Sequence, residues 1–301
     1  MLGKIFNINI LDKIFKTLKI FAIAIFVVFE LYLVLAFVQE SGLIGETAQP
    51  GSKNIAVINI DKPITAGYVN LVMKKMDEIK EQSDLYAETL ITFNSPGGNP
   101  AASEELSYYL DDFQKTMPTT FYISSSATSG AYMIACVSDT TLYSSPSALV
   151  GSVGVYVSVW SAEEALSKIG LKDFTEEFAS HPDKIPFSFS KDPNAHSIEY
   201  VQKNLIQPIY SNFFNFVKDQ RGLDEETLTK YAEGRAYIAS EVVGVLVDEI
   251  KPIHAVKEGI EKKYENSDVF FVNTNLAPPK GLFASNFNID LNVDMPKVGF
   301  R

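Results

Sequence analysis

The stretch Thr89–Gly98, TLITFNSPGG, decides the fold. Its first five residues are rich in β-branched and aromatic side chains and predict a strand, which Asn94-Ser95-Pro96-Gly97-Gly98 ends in a tight turn. Apolar residues on both sides fall at helical spacing. Upstream, Val69, Val72, Met73, Met76 and Ile79 predict a helix over 67–82; downstream, Leu106, Tyr109, Leu110 and Phe113 predict one over 101–115. Two more short apolar runs flank these, Asn54–Ile60 (NIAVINI) and Thr119–Ser124 (TTFYIS), each expected to be a strand. Strand and helix alternate with short connections, the pattern of parallel βαβ units, so the expected class is α/β.

The alternation continues with an apolar helix at Ser129–Val137, strands at Thr140–Tyr143 and Leu149–Val157, helices over 197–218 and 225–232, and a short helix at Ser240–Leu246. Residues 266–301 return to Asn, Pro and Gly with scattered apolar positions and read as a tail, weakly structured or docked on a neighbour. The division expected is a basic tail over 1–19, a membrane span over 20–38, a linker over 39–53, a catalytic domain over 54–265 and the C-terminal tail.

The span is Ile20–Val38, IFAIAIFVVFELYLVLAFV, in which Glu30 is the single charge. At 1.5 Å per residue it reaches roughly 28 Å, about the thickness of a bilayer core. A cleavable signal sequence is a weaker reading, because the run is long and Ala36-Phe37-Val38 is a poor cleavage site. Lys4, Lys13, Lys16 and Lys19 precede the span, whereas Glu40 and Glu46 follow it. This asymmetry puts the N-terminus in the cytoplasm and the remainder on the far side of the membrane.

A formal net charge of -11 argues against a nucleic-acid partner, since phosphates reward clustered Lys and Arg. The single cysteine, Cys136, sits in an apolar run and reads as core, with no internal disulfide open to it. No Cys/His cluster points to a metal, no phosphate-binding glycine loop is present, and no cofactor is expected. Three histidines, His181, His196 and His254, are the complete supply for any Ser–His–Asp triad.

Chemistry concentrates at two turns that follow strands. Gly97 and Gly98 let the backbone approach a bound group and aim N–H at it, although Pro-Gly-Gly alone also makes an ordinary β-turn. Ser126–Tyr132, SATSGAY, places Ser129 among small residues at a helix start, where unsatisfied N–H groups favour negative charge. Taken alone, a serine there is an ordinary N-cap. Val150–Val155, VGSVGV, is a small-residue segment suited to tight packing.

Together, NSPGG, SSATSGAYMIACVSD, LVGSVGV and EGRAYIASEVVGVLVDEI resemble, in this order, the signature segments of signal peptide peptidase A and its SohB relatives, bacterial serine proteases with a crotonase-like (ClpP-like) fold of repeated ββα and βαβ units. The resemblance covers about residues 54–265, and an N-terminal anchor suits that family. It implies Ser129 as nucleophile, Gly98 and Gly130 as oxyanion-hole amides, and a lysine base lying some fifty residues past the serine. In FASHPDKIPFSFSK, Lys184 matches best, with Lys191 and Lys172 as alternatives, and Ser152 matches a serine that hydrogen-bonds the lysine. A lysine can take the serine proton only when its own pKa falls toward neutrality, as burial can bring about. His181, close to Lys184, keeps a histidine base in view. The family usually has Ser-Gly-Gly where this chain has Ser129-Gly130-Ala131, a methyl group that could narrow the pocket. The resemblance further implies hydrophobic peptide substrates such as remnant signal peptides and a homo-oligomer. Two rivals are a catalytically idle scaffold that binds peptides or membrane partners, and an acyl-CoA enzyme of the same fold.

Overall fold

In the computed structural model the residues described are 17–19, 21, 23, 25–30, 32, 52–265, 267–274 and 276. Strand β1 (Lys53–Ile60) is buried at most of its positions because both of its faces are covered. Ala56, Ile58 and Ile60 face a large core, and Ile55 and Val57 face a smaller one. β2 (Tyr86–Ser95) and β3 (Thr119–Thr128) extend the sheet in parallel. Helix α1 (Ala66–Glu81) joins β1 to β2, and α2 (Pro100–Gln114) joins β2 to β3.

Both helices start on side-chain caps. Thr65 Oγ1 accepts from Tyr68 N, Asn99 Oδ1 accepts from Ala102 N, and Pro100 occupies a first-turn position that needs no N–H. Their expected apolar faces are the buried ones: Val69, Val72, Met76 and Ile79 on α1, and Leu106, Leu110 and Phe113 on α2.

The remaining strands are β4 (Leu142–Ser144), β5 (Leu149–Gly151), β6 (Ala236–Ile238), β7 (Glu249–Ile250) and β8 (Val269–Asn273). Among the described residues the sheet order is β6-β5-β3-β2-β1-β8, with β4 on β3 and β7 on β4. Every pairing is parallel except β5–β6. β3 serves two partners in turn: Phe121–Ile123 pair with β4, and Ser126–Thr128 pair with β5. The sheet therefore forks at Ser124–Ser125, level with a register slip between Phe93 and Asn94 on β2. The fork passes the end of β3, and with it the SATSGAY turn, to β5.

Several expectations need correction. The strand expected at Leu149–Val157 ends at Gly151, because Gly151 and Ser152 both take positive φ (86° and 53°). Ser240–Leu246 is no α-helix but a 3-10 turn at Ala239–Glu241 followed by turns around Gly244. The helix expected over 197–218 is α5 (Ala195–Val201 here, counting α3 as Gly130–Ala135 and α4 as Glu163–Lys168), one π turn at Gln202–Ile206, and α6 (Gln207–Arg221). Pro208 has no N–H to continue the regular ladder, and the turn before it widens. After α7 (Glu225–Thr229), a charged helix α8 (Ile253–Lys263) leads into β8. β8 pairs with β1, so part of the expected 266–301 tail belongs to the sheet. A run as short as VFFV does not reveal its class by periodicity, and its partner strand lies at the other end of the domain.

Much of the expected span Ile20–Val38 lies outside the described residues, as do 1–16, most of the linker and 277–301. The described residues within 17–32 are helical and expose apolar side chains such as Phe21, Ile25 and Phe29. Among the described residues no helix is long and apolar enough to cross a membrane.

Two polar ties close the domain. Glu88, 1% exposed, accepts from Thr120 Oγ1 (2.7 Å), Lys263 Nζ (3.0 Å) and Tyr264 OH (3.3 Å), which fixes α8 beneath the sheet. Arg221, at the end of α6, pairs with Asp248, donates to Val245 O (3.3 Å), and is almost wholly buried. Asp248 Oδ2 also accepts from Leu142 N (2.7 Å), and Tyr132 OH donates to Leu246 O (2.9 Å). The 242–248 segment is thus held to α6, β4 and α3 together. Desolvation pushes the Asp248 carboxyl up, but the Arg221 and Leu142 hydrogen bonds outweigh it and hold its pKa below the ordinary value. A carboxylate depressed in the folded state stabilises above its unfolded pKa and loses that contribution as pH falls through the folded one. Arg221→Met should therefore lower the melting temperature at neutral pH by about 4–8 °C, from roughly 2 kcal/mol for a charge-assisted bond. The gap between parent and variant should narrow in acid; a gap that is constant from neutral pH down through the carboxylate range would refute the assignment.

Candidate active site

The Pro-Gly-Gly turn is built before any ligand arrives. Ser95 Oγ, fully buried, donates to Lys62 O (2.7 Å) and accepts from Gly97 N (3.3 Å). Ile64 N donates to Gly97 O (2.9 Å), and Asn99 N donates to Ile64 O (2.8 Å). A bridge of this kind uses the residues on either side of Gly98 and leaves the Gly98 amide unspent. No side chain would fit here: a Cβ on Gly98 would stand 2.2 Å from Ile64 O, and one on Gly97 2.8 Å from Ser129 Cβ.

Ser129 faces this turn. It joins β3 to α3 at φ 54° and ψ -129°, a region that glycine occupies freely and L residues enter at a cost of about 1–3 kcal/mol. Its amide donates to Gly151 O (2.8 Å) and its carbonyl accepts from Tyr132 N and Met133 N, so the backbone is held on both sides. The hydroxyl caps nothing. The ordinary role of a serine at a helix start is therefore not the one it plays. Gly130 begins α3, fully covered, and a Cβ there would lie 2.1 Å from Ser103 Oγ and 3.5 Å from Gly98 N. The amides of Gly98 and Gly130 are thus neighbours, and among the described residues neither donates to an acceptor. Two free N–H groups beside one uncommitted hydroxyl can hold the oxygen of a carbonyl under attack.

Ser129 lies between two cavities. The larger, about 890 Å³, is lined by the Pro96–Asn99 turn, Ser152–Tyr156, Gln207 and Tyr210 of α6, and Ala232–Gly234. The smaller, about 90 Å³, is lined by Gly98, Ser103, Glu104, Gly130, Met133, Val155 and Phe213. Ala131 is buried and lines neither, so the methyl group that departs from Ser-Gly-Gly does not narrow the site.

Of the expected residues, Ser129, Gly98, Gly130 and Ser152 come together; Lys184 does not join them. Ser152 Oγ donates to Gly234 O (3.0 Å) rather than to a lysine. Lys184 is exposed, in a 3-10 turn at Pro182–Lys184, and lines neither cavity. Lys191 is engaged by Glu176 (3.4 Å) and Glu177 (3.7 Å). Desolvation lowers its pKa, but those carboxylates outweigh it and hold the ammonium above its ordinary value, the wrong direction for a base. Lys172 also lines neither cavity. No histidine does either; His181 and His196 flank Asp183 at the surface (3.4 and 2.6 Å). Cys136 is wholly buried, its thiol pushed up to about 12 by burial, and is core as expected.

Residues that sequence reasoning missed include Ser103, which sets the space at Gly130, and Gln207, Tyr210 and Gly234, which wall the larger cavity. Only Gly234, within the EGRAY segment, had a visible signal. The others arrive from α2 and α6 by packing, with no local pattern to announce them.

A family model described as peptidase family S49 matches residues 111–266, just over half of the chain. A candidate protease of Methanocaldococcus jannaschii is 28% identical, over 75% of this chain and 70% of that protein. A candidate signal peptide peptidase SppA of Enterococcus faecium is 26% identical, over 65% of this chain and 55% of its own length. Protease 4 of Salmonella typhi is 27% identical over 49% of this chain and only 23% of its length. The chain thus spans about half of the Enterococcus protein and under a quarter of the Salmonella one.

The strain and the close fit are both measurable as stability. Ser129→Gly should melt about 2–4 °C above Ser129→Ala, because only glycine relaxes the positive φ, a difference of about 1 kcal/mol. Gly130→Ala should lose about 1–3 kcal/mol by overpacking, and adding Ser103→Ala should restore part of it. Equal melting of the two Ser129 variants would show that the turn is not strained.

Proposed function

The chain belongs to peptidase family S49, and from that premise we propose that it is a serine endopeptidase acting through an acyl-enzyme, with Ser129 as nucleophile. The observation that carries this is the Ser129 hydroxyl, held on a strained turn, capping nothing, beside the unspent amides of Gly98 and Gly130. In this reading Ser129 Oγ attacks a peptide carbonyl, and the two amides hold the oxyanion. A lysine takes the hydroxyl proton and passes it to the leaving amine. It then draws a proton from the water that frees the acyl group. The domain is read as a crotonase-like (ClpP-like) fold, anchored through residues 20–38 with its catalytic part outside the cytoplasm. Its substrates would be hydrophobic peptides such as remnant signal peptides, in keeping with the name of the Enterococcus relative.

The base we assign is Lys184, delivered by assembly. Among the described residues no lysine lines the site, and Lys184 makes no ion pair. The segment that carries it is also unusually bare of cover. Tyr156 is 84% exposed, Trp160 79% and Phe178 88%, a set of aromatics that a lone soluble domain rarely leaves to water. Packing these against a second copy would move Lys184 toward a neighbour's Ser129 and remove it from water, the condition a lysine base requires.

A fluorophosphonate probe should label the parent and not Ser129→Ala; absence of labelling in the parent would return the chain to an idle peptide-binding scaffold. Lys184→Arg should lose at least a hundredfold in turnover, since guanidinium does not give up its proton, while Lys191→Ala should retain most activity. Coexpressing the inactive Ser129→Ala and Lys184→Ala chains should recover activity in mixed assemblies. No recovery would mean that the base is supplied within one chain.

A further inference from the structure

The small cavity beside Ser129 carries a charge that no described residue answers. Met133, Val155, Ile209 and Phe213 give it apolar walls, and Glu104 of α2 supplies the charged side chain on its lining. Glu104 is half-buried, and among the described residues its carboxylate has neither a hydrogen-bond donor nor an ion-pair partner. A half-exposed carboxylate without a protein partner, on the lining of an apolar cavity, is open to a cation that enters it. On the other side of Ser129 the larger cavity has no lysine, arginine or histidine in its lining, and its carboxylate, Glu233, already holds Arg235. The two carboxylates are therefore in different conditions, and the free one lines the same cavity as Ser129.

We propose that this cavity is a specificity pocket for a lysine side chain at the residue on the acyl side of the cut, its methylenes against Met133, Val155 and Phe213 and its ammonium on Glu104. This rests on the reading of Ser129 as nucleophile and names the substrate class for it: peptides cut after a basic residue that borders an apolar stretch. The volume, about 90 Å³, suits a straight amine-tipped chain better than the broad fork of a guanidinium. Apolar walls with one placed charge are the usual means by which a pocket fixes the orientation of an amphipathic group.

The test uses full-length Ser129→Ala in detergent and fluorescent peptides identical except for one residue: lysine, norleucine or glutamate. Anisotropy should show lysine bound about tenfold tighter than norleucine and glutamate weakest, in line with a charge-assisted bond. Glu104→Gln, nearly the same shape at a half-exposed position, should erase the lysine preference, and Glu104→Lys should favour glutamate. The proposal falls if lysine and norleucine bind equally, if no peptide binds, or if the preference survives Glu104→Gln. Cleavage of the same peptides by the parent separates the two readings. A Glu104-dependent binding preference without cleavage sinks the peptidase and keeps the pocket. Cleavage indifferent to the lysine sinks the pocket and keeps the peptidase.

Discussion

The constraint on which the site depends is the absence of room between two turns. Gly97 and Gly98 press against Ile64 on one side and against Thr128–Gly130 on the other, at distances where a single Cβ would collide with backbone. Ser129 occupies the remaining space only by taking a backbone conformation suited to glycine. A strained residue of this kind persists when its surroundings over-determine it. Here the surroundings are Gly151 O on its amide and the first turn of α3 on its carbonyl. The strain is held by the sheet and the helix together, which keeps the hydroxyl out of the cap it would otherwise make.

The fork in the sheet serves the same end. A strand paired along its whole length to one neighbour would run Ser129 straight past the cavity. By leaving β4 for β5 at Ser124–Ser125, β3 ends against Gly151 instead, and Ser152 follows at its own positive φ. Leu246 packs onto Gly151, and the segment that carries it is tied by Tyr132, Arg221 and Asp248. The EGRAYIASEVVGVLVDEI stretch is thus a brace behind Ser129 as well as a wall of its larger cavity.

Lys184 is exposed and lines neither cavity at Ser129 in the single chain. A buried lysine base needs cover, and the 3-10 turn that bears Lys184 has little. The exposed aromatics of the same excursion supply a physical reason for an assembled form, because they would gain from burial in proportion to the area removed from water.

The sequence by itself determined the alternation of strand and helix, the buried faces of α1 and α2 and the two small-residue turns, since each is written locally in period, caps and glycines. It also carried the order of segments by which the family is recognised. It did not determine the end of the strand at Gly151, the fork of β3, or the placing of β8 on β1, because these are settled by long-range pairing and by single φ values. Nor did it show that Glu104 shares a cavity with Ser129 or that Lys184 lines neither of the two cavities there. A side chain's neighbours across a cavity are set by how α2, α3 and α6 pack, and no spacing along the chain encodes that distance.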